Sequence, residues 1–289
     1  MKTCLKNRIA LTIMILLIMA WGAQLAPARA DSEFPLRITD QFGREIRLSK
    51  EPLRIVSGSP ANTEILYALG LGERVVGVTS FCDYPPEALQ VEKIGDLAPL
   101  NIEKVLSLRP DLVVGDVLNS KDSVLGLEEL GVPVLALNPN SFQQSLEAIL
   151  LVGKATGKGL EAEKLVQDLA GILAVVEEKG NRIKNRGLKA LIVVGMELSN
   201  QPLWTAGPGS FLHEAVILAG GQNIAEDIGR AWAQMSIESI LKRDPDLIIT
   251  EMDPSCFYLD KIWSNVSALQ KRQVYQIDVN LFSRPGPRM

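Results

Sequence analysis

The sequence predicts an α/β fold made of two similar lobes with parallel sheets, joined by a long helix. Two repeated phrases and one uninterrupted amphipathic stretch carry that expectation. IEKVLSLRPDLVVGDV at residues 102–117 returns as IESILKRDPDLIITEM at 237–252. TEILYALGLGERVVGV, starting at Thr63, returns as HEAVILAGGQNIAED, starting at His213, with Glu64 and Glu214 at the same step and Gly70 matching Gly220. Between the copies, residues 159–187 place Leu165, Leu169, Ile172, Leu173 and Val176 at intervals of three and four, the spacing of one helix face. A repeat of this length points to two similar lobes rather than one. A single continuous α/β domain with the long helix packed against it is the alternative.

The chain opens with a segment that does not read as folded protein. Lys2, Lys6 and Arg8 form a basic head, residues 9–23 are apolar apart from Thr12, and Ala28-Arg29-Ala30 supplies a small-x-small cleavage pattern. Residues 1–30 therefore read as a secretory signal. A retained membrane anchor is the competing reading, but the run is shorter than the roughly 20 residues that cross a bilayer. Cys4 precedes the apolar run, so a free, unlipidated mature chain beginning near Asp31 is expected. Cleavage removes Lys2, Lys6, Arg8 and Arg29 and no acid, which takes the formal charge from −4 to −8. Such a chain lacks the clustered basic face that nucleic acid requires, while its acids suit the basic surface of a partner. Cys82 and Cys256 remain, one in each half; their places in the repeat suggest separate lobes, and two cysteines do not make a disulfide scaffold.

The mature chain then begins with LRITDQFGREIRLS, whose apolar residues alternate on either side of a Gly-containing turn and predict a hairpin. RIVSGSP reads as the first buried strand, with its polar end at the sheet mouth and a helix opening near Asn62 or Thr63. In open α/β sheets that mouth is where ligands are held. Each repeated phrase reads as an amphipathic helix, a Pro-Asp break and a buried strand, and further strands are expected at 75–78, 134–137, 191–194 and 274–277. A helix of about 20 residues between the halves would be roughly 30 Å long, a stiff spacer that limits opening. The resulting division is a first lobe at 31–158, the linking helix at 159–187 and a second lobe at 188–289.

Catalytic motifs are missing. There is no G-x-S-x-G and no phosphate loop, and Gly70-Leu71-Gly72 and Gly157-Lys158-Gly159 read as helix ends. One histidine, His213, cannot build a His-based metal site, and Ile217 breaks the H-E-x-x-H pattern. No catalytic residue, metal site or resident cofactor is expected. The chain does place aromatics near strand ends: Phe81 and Tyr84 in FCDYPPEA, Trp204 in SNQPLWTAGPGS, Trp232 in IGRAWAQM, and Phe257 with Tyr258 after the strand that ends at Thr250. Singly, each is as well explained by packing. Together they would line a broad apolar cleft for a large, partly planar ligand.

With RIVSGSPANTEILYALGLGERVVGVT, CDYPPEA, KIGD, IEKVLSLRPDLVVG, GPGSFLHEAVILAGGQNIA and NLFSRPGPR in view, the chain resembles the class III periplasmic substrate-binding proteins. That helical-backbone family serves ABC importers of vitamin B12, ferric siderophores and haem. The resemblance spans residues 52–288. It implies two Rossmann-like lobes joined by a rigid helix, a monomer in the periplasm, and delivery to a membrane permease driven by a cytoplasmic ATPase. It implies that Glu64 and Glu214, one on each lobe's outer face, dock against permease arginines; a helix-dipole role for each acid is the plain alternative. CDYPPEA resembles the cobalamin-binding branch, with Phe81 where a tyrosine is usual, so cobalamin or a related corrinoid is the expected ligand. A ferric siderophore, held by Arg230 and Arg284, is the alternative, and haem, which would ask for a Tyr or His on iron, comes third. An enzyme or structural domain on the same fold is the rival class. In the family a long C-terminal helix follows NLFSRPGPR and packs on the second lobe; here the sequence stops at Met289, so either the chain is truncated, which would expose apolar surface, or the lobe is left uncovered.

Overall fold

The computed structural model describes residues 34–196, 202–259 and 261–289. The signal read at residues 1–30 lies outside them. The hairpin forms from β1 (Leu36–Thr39) and β2 (Glu45–Leu48), paired antiparallel. Its turn is tied by the Asp40 carboxylate, which accepts from the Phe42 and Arg44 N–H groups and from the Arg44 guanidinium.

The first lobe runs β3 (Ile55–Ser57), α1 (Pro60–Ala68), β4 (Val75–Val78), α2 (Ile102–Ser107), β5 (Leu112–Asp116), α3 (Lys121–Glu129), β6 (Val134–Leu137) and α4 (Phe142–Ala155). Its sheet is wholly parallel in the order β4-β3-β5-β6. Helix α1 starts earlier than the Asn62 or Thr63 expected from sequence. Ser59 caps it by accepting from the Asn62 N–H, and Pro60 takes the first helical position, where a missing N–H is harmless. Asn101, Ser120 and Ser141 cap α2, α3 and α4 in the same way.

The long helix is α5 (Gly159–Ile183), and a short 3-10 turn carries it to Gly187 at φ +60°. The second lobe follows as β7 (Lys189–Val193), β8 (Leu203–Ala206), α6 (Phe211–Leu218), β9 (Gln222–Asn223), β10 (Trp232–Met235), α7 (Ile237–Arg243), β11 (Leu247–Thr250), α8 (Ser255–Leu259), α9 (Ser267–Gln270), β12 (Val274–Gln276) and α10 (Val279–Ser283). Its parallel sheet has the order β12-β11-β7-β9. Read from the other edge, β9-β7-β11-β12 is the order of the first lobe, strand for strand. Both copies of each repeated phrase therefore fill equivalent places. The second lobe differs by a ribbon of β8 and β10, paired antiparallel outside the main sheet.

Both faces of each sheet are packed. In the first lobe Ile55, Leu112 and Val114 face one apolar cluster while Val56 and Val113 face another. In the second, Leu191, Val193 and Ile248 oppose Ala190 and Ile192. That is why the strands read as continuous apolar runs. Phe257, placed by sequence after a strand and expected at the ligand, sits instead on α8, fully buried with its ring 5.2 Å from that of Trp263.

Small residues let α5 approach both lobes. A Cβ at Gly153 on α4 would lie 2.4 Å from the Ala162 Cβ on α5; one at Gly180 on α5 would lie 2.1 Å from the Leu218 carbonyl oxygen at the end of α6. Gly220, in the left-handed region at φ +80°, meets Gly180 from the other side. Between these crossings α5 is largely open to solvent: of its apolar stripe Leu169 is buried, whereas Ile172 is 58% exposed.

Two substitutions on α5 separate packing from helix propensity. Gly171→Ala adds a methyl where nothing lies within 4 Å, so it should raise stability by up to about 1 kcal/mol, the usual helix-interior gain. Gly180→Ala offers the same propensity but drives a methyl into backbone, and thermal melts should show its midpoint falling by several degrees while that of Gly171→Ala rises. Equal midpoints for the two variants would mean that the crossing is not tight.

Candidate ligand-binding cleft

Parallel strands deliver the loops that follow them to one end of each sheet, and the first lobe uses all four. Ser59 to Ala61 follow β3, Ser80 to Asp83 follow β4, Asp116 to Leu118 end β5, and Asn138 to Asn140 follow β6. Across from them stand Phe211 at the start of α6, Trp232 at the start of β10, and α10 with Arg284 after it. Together these residues enclose a cleft of about 740 Å³.

Two buried amides hold the first-lobe loops in register. The Asn62 side chain donates to the Val114 and Gly115 carbonyls, at 3.2 and 2.8 Å. Asn119 accepts from the Asp116 N–H at 2.8 Å and donates to the carbonyls of Gly58 and Leu97. Neither amide stood out in the sequence; each acts across turns that become neighbours once the sheet is formed. Asp116 was missed as well. Its carboxylate is buried at the cleft wall, accepts from the Leu118 N–H at 2.9 Å and meets the Ser59 hydroxyl, and burial pushes its pKa above the usual carboxylate range.

Of the seven expected ligand contacts, Phe81, Trp232 and Arg284 line the cleft. Trp232 stands edge-on to Phe211, ring centres 6.4 Å apart at 70°, which makes Phe211 a cleft aromatic that sequence reasoning passed over. Arg284 is engaged: it donates to Asp83 at 2.6 Å, to Glu64 at 3.3 Å and to the Phe81 carbonyl. The hydrogen bond from Arg284 is the main cause that holds the Asp83 carboxyl below its usual range.

The other four lie elsewhere. Tyr84 is beneath the Arg288 guanidinium, 3.6 Å from ring centre to carbon, and outside the cleft wall. Trp204, expected in a loop, is on β8 opposite Gln234; it shares the face of Trp232 but not the cleft. Arg230 is exposed outside the cleft, and Phe257 is core.

Glu64 departs most from its expected place on an outer face. It is 3% exposed, and Arg288 holds both of its oxygens, Nη2 to Oε1 at 2.6 Å and Nε to Oε2 at 2.8 Å. The segment after α10 returns to the first lobe, with Gly286 lying over Ala61 on α1. Glu214 is half-buried and accepts from the Phe142 N–H, the first of α4, at 2.8 Å. It borders a second hollow of about 510 Å³ that also contains His213, whose Nδ1 lies 3.2 Å from the Asn223 side-chain nitrogen.

Cys82 and Cys256 are both free thiols, the first buried between the Thr63 and Thr79 hydroxyls. Among the described residues no group of three or more His, Cys, Asp or Glu is placed to hold a metal ion, and no helix is long and apolar enough to cross a membrane.

The chain matches the family described as periplasmic binding protein over residues 55–281. It is 37% identical to an ABC transporter substrate-binding lipoprotein of Bacillus subtilis over 89% of this chain and 82% of the relative. It is 31% identical to the vitamin B12-binding protein of Salmonella paratyphi A, over 82% of this chain and 85% of that one. Among solved structures, the periplasmic heme-binding protein of a Roseiflexus species superposes with a TM-score of 0.72 at 28% identity, covering 81% of this chain and 92% of its own.

Proposed function

The chain belongs to the periplasmic binding protein family, whose members bind substrates and are not enzymes, and from that premise we propose that it captures cobalamin or a related corrinoid for an ABC importer. In this reading residues 1–30 direct it to the periplasm, the lobes are Rossmann-like, the mature chain is a monomer, and α5 keeps their separation nearly constant when ligand enters.

The composition of the cleft wall is the observation that supports a corrinoid best. Phe81 on one lobe and Trp232 with Phe211 on the other offer aromatic surface to both sides of a large ring system. Haem binding calls for a ligand to iron, yet no Tyr or His lines the cleft among the described residues. An anionic ferric chelate calls for a free cation, yet Arg284 is taken up by Asp83 and Glu64, and Arg230 lies outside. The Salmonella relative binds vitamin B12 by name, which agrees with this choice.

Calorimetric titration of the mature protein with cyanocobalamin, a ferric hydroxamate and haemin tests the reading. Sub-micromolar binding of cyanocobalamin is expected, weakened by roughly 1–3 kcal/mol in Trp232→Ala, the cost of truncating an aromatic anchor that the ligand covers. Phe81→Tyr should change little, since the ring remains. Tight binding of the hydroxamate or of haemin, with none of cyanocobalamin, would overturn it.

For the partner, Glu214 and Glu64 are the proposed contacts to permease arginines. Glu64 can serve once Arg288 yields its place to an arginine of the permease. Glu214→Ala should leave ligand affinity within a few-fold and weaken permease binding; Glu214→Lys should weaken it further, less so at high salt. Glu64→Ala should do the same with a loss of thermal stability, because Arg288 is left without its carboxylate. Collapse of ligand affinity with permease binding intact would reverse the assignment.

A further inference from the structure

We propose that the cleft selects a positively charged ligand, and that Asp116 is the residue that reads the charge. The inference rests on the reading of this cleft as the ligand site and adds the class of ligand that it prefers. Among the described residues three charged side chains line the cleft: Asp83, Asp116 and Arg284. Asp83 and Arg284 neutralise one another at 2.6 Å. Asp116 makes no ion pair among the described residues, so the wall carries one carboxylate without a counter-ion.

The groups around Asp116 do not supply one. Arg44 and Lys121 border a smaller hollow of about 270 Å³ on its other side. The Arg44 guanidinium is committed to Asp40 and Glu128, and Lys121 lies on the exposed surface of α3.

A structural role alone does not explain the charge. The bond from the Leu118 N–H to the Asp116 side chain closes a local turn that asparagine closes equally well. Burying a carboxylate costs free energy that asparagine would avoid, unless a cation arrives to offset it. The position is also built to hold the acid still: Asn119 fixes its N–H, and the Ser59 hydroxyl stands against the carboxylate. A cation seated on the cleft wall would be drawn to this carboxylate in a setting with little water, where the attraction is strongest.

The chemistry of corrinoids makes this choice specific. Cobalt(III) in a monoanionic corrin is a net positive centre; in cyanocobalamin the nucleotide phosphate cancels the charge, whereas a corrinoid without the nucleotide remains cationic. The same distinction separates a ferric hydroxamate bearing a free ammonium from a neutral one.

Matched pairs provide the test: aquocyanocobinamide against cyanocobalamin, and ferrioxamine B against ferrichrome, titrated calorimetrically into wild type and Asp116→Asn. Wild type should bind the cationic member of a pair at least about ten-fold tighter, and Asp116→Asn should abolish that preference. In wild type, affinity for the cation should rise as pH rises through the titration of Asp116 and then level. The sign follows because the cation needs the carboxylate, and burial places that titration above the ordinary carboxylate range. Asp83, held low by Arg284, stays ionised throughout that window. The wild-type pH series needs no variant, so it stands even if Asp116→Asn folds poorly. Equal binding of charged and neutral members, a preference that survives in Asp116→Asn, or no binding of any of the four would overturn the inference. If the hydroxamate pair obeys the charge rule and neither corrinoid binds, the corrinoid reading fails while the role of Asp116 stands; if cyanocobalamin binds tightly without a charge preference, the reverse holds.

Discussion

Where α5 passes the end of α6, backbone touches backbone. Gly180 has no room for a side chain beside the Leu218 carbonyl, and Gly220 turns the chain away at a positive φ that glycine adopts without strain. At its other end α5 is equally close to α4 through Ala162 and Gly153. A single helix therefore packs closely on both lobes. The cleft spans them, because Phe81 belongs to one lobe and Trp232 to the other, and the way the helix meets each lobe contributes to their separation. Inter-lobe hydrogen bonds add to the constraint. Glu214 accepts from the first N–H of α4, and Arg284 and Arg288, beyond α10 of the second lobe, close on Glu64 in α1 of the first.

The electrostatic arrangement is economical in charge. Glu64, Asp83, Arg284 and Arg288 form one connected set in which each carboxylate has a guanidinium partner. Paired in this way, the buried Glu64 carboxylate is tolerated; removing its guanidinium partners would leave it to bear the cost of desolvation. Arg284 belongs to this set and to the cleft wall together, so the wall and the site proposed for docking share a residue. Asp116 stands apart from the set, and among the described residues it is the charged group of the wall that has no ion-pair partner.

Much of the architecture was legible because it is written locally. Helix, Pro-Asp and buried strand appear twice within short windows, and the matching order of the two sheets follows from that repetition. The ribbon of β8 and β10 was not legible. Trp204 and Trp232 lie in short segments bounded by Gly and Pro, and they become strands by pairing with each other across a wide sequence gap. Phe257 misled for the opposite reason: a residue just after a strand reads as loop, but α8 turns its ring inward onto Trp263. Resemblance to the family implies a surface place for Glu64 on the helix after the first strand. Its burial depends on Arg288, far along the chain and approaching from the second lobe, and no local pattern announces such a contact. Asn62, Asn119 and Asp116 were hidden likewise, since their partners are backbone groups of other loops.

If α5 fixes the separation of the lobes, the cleft is already formed when ligand arrives. Double electron–electron resonance can measure that separation directly, with spin labels at Lys121 on α3 and Glu238 on α7 and with Cys256 replaced by serine. A single narrow distance distribution, displaced by no more than a few ångströms on saturation with cyanocobalamin, is the predicted result. A broad or two-peaked distribution that collapses to a shorter distance when ligand is added would contradict it.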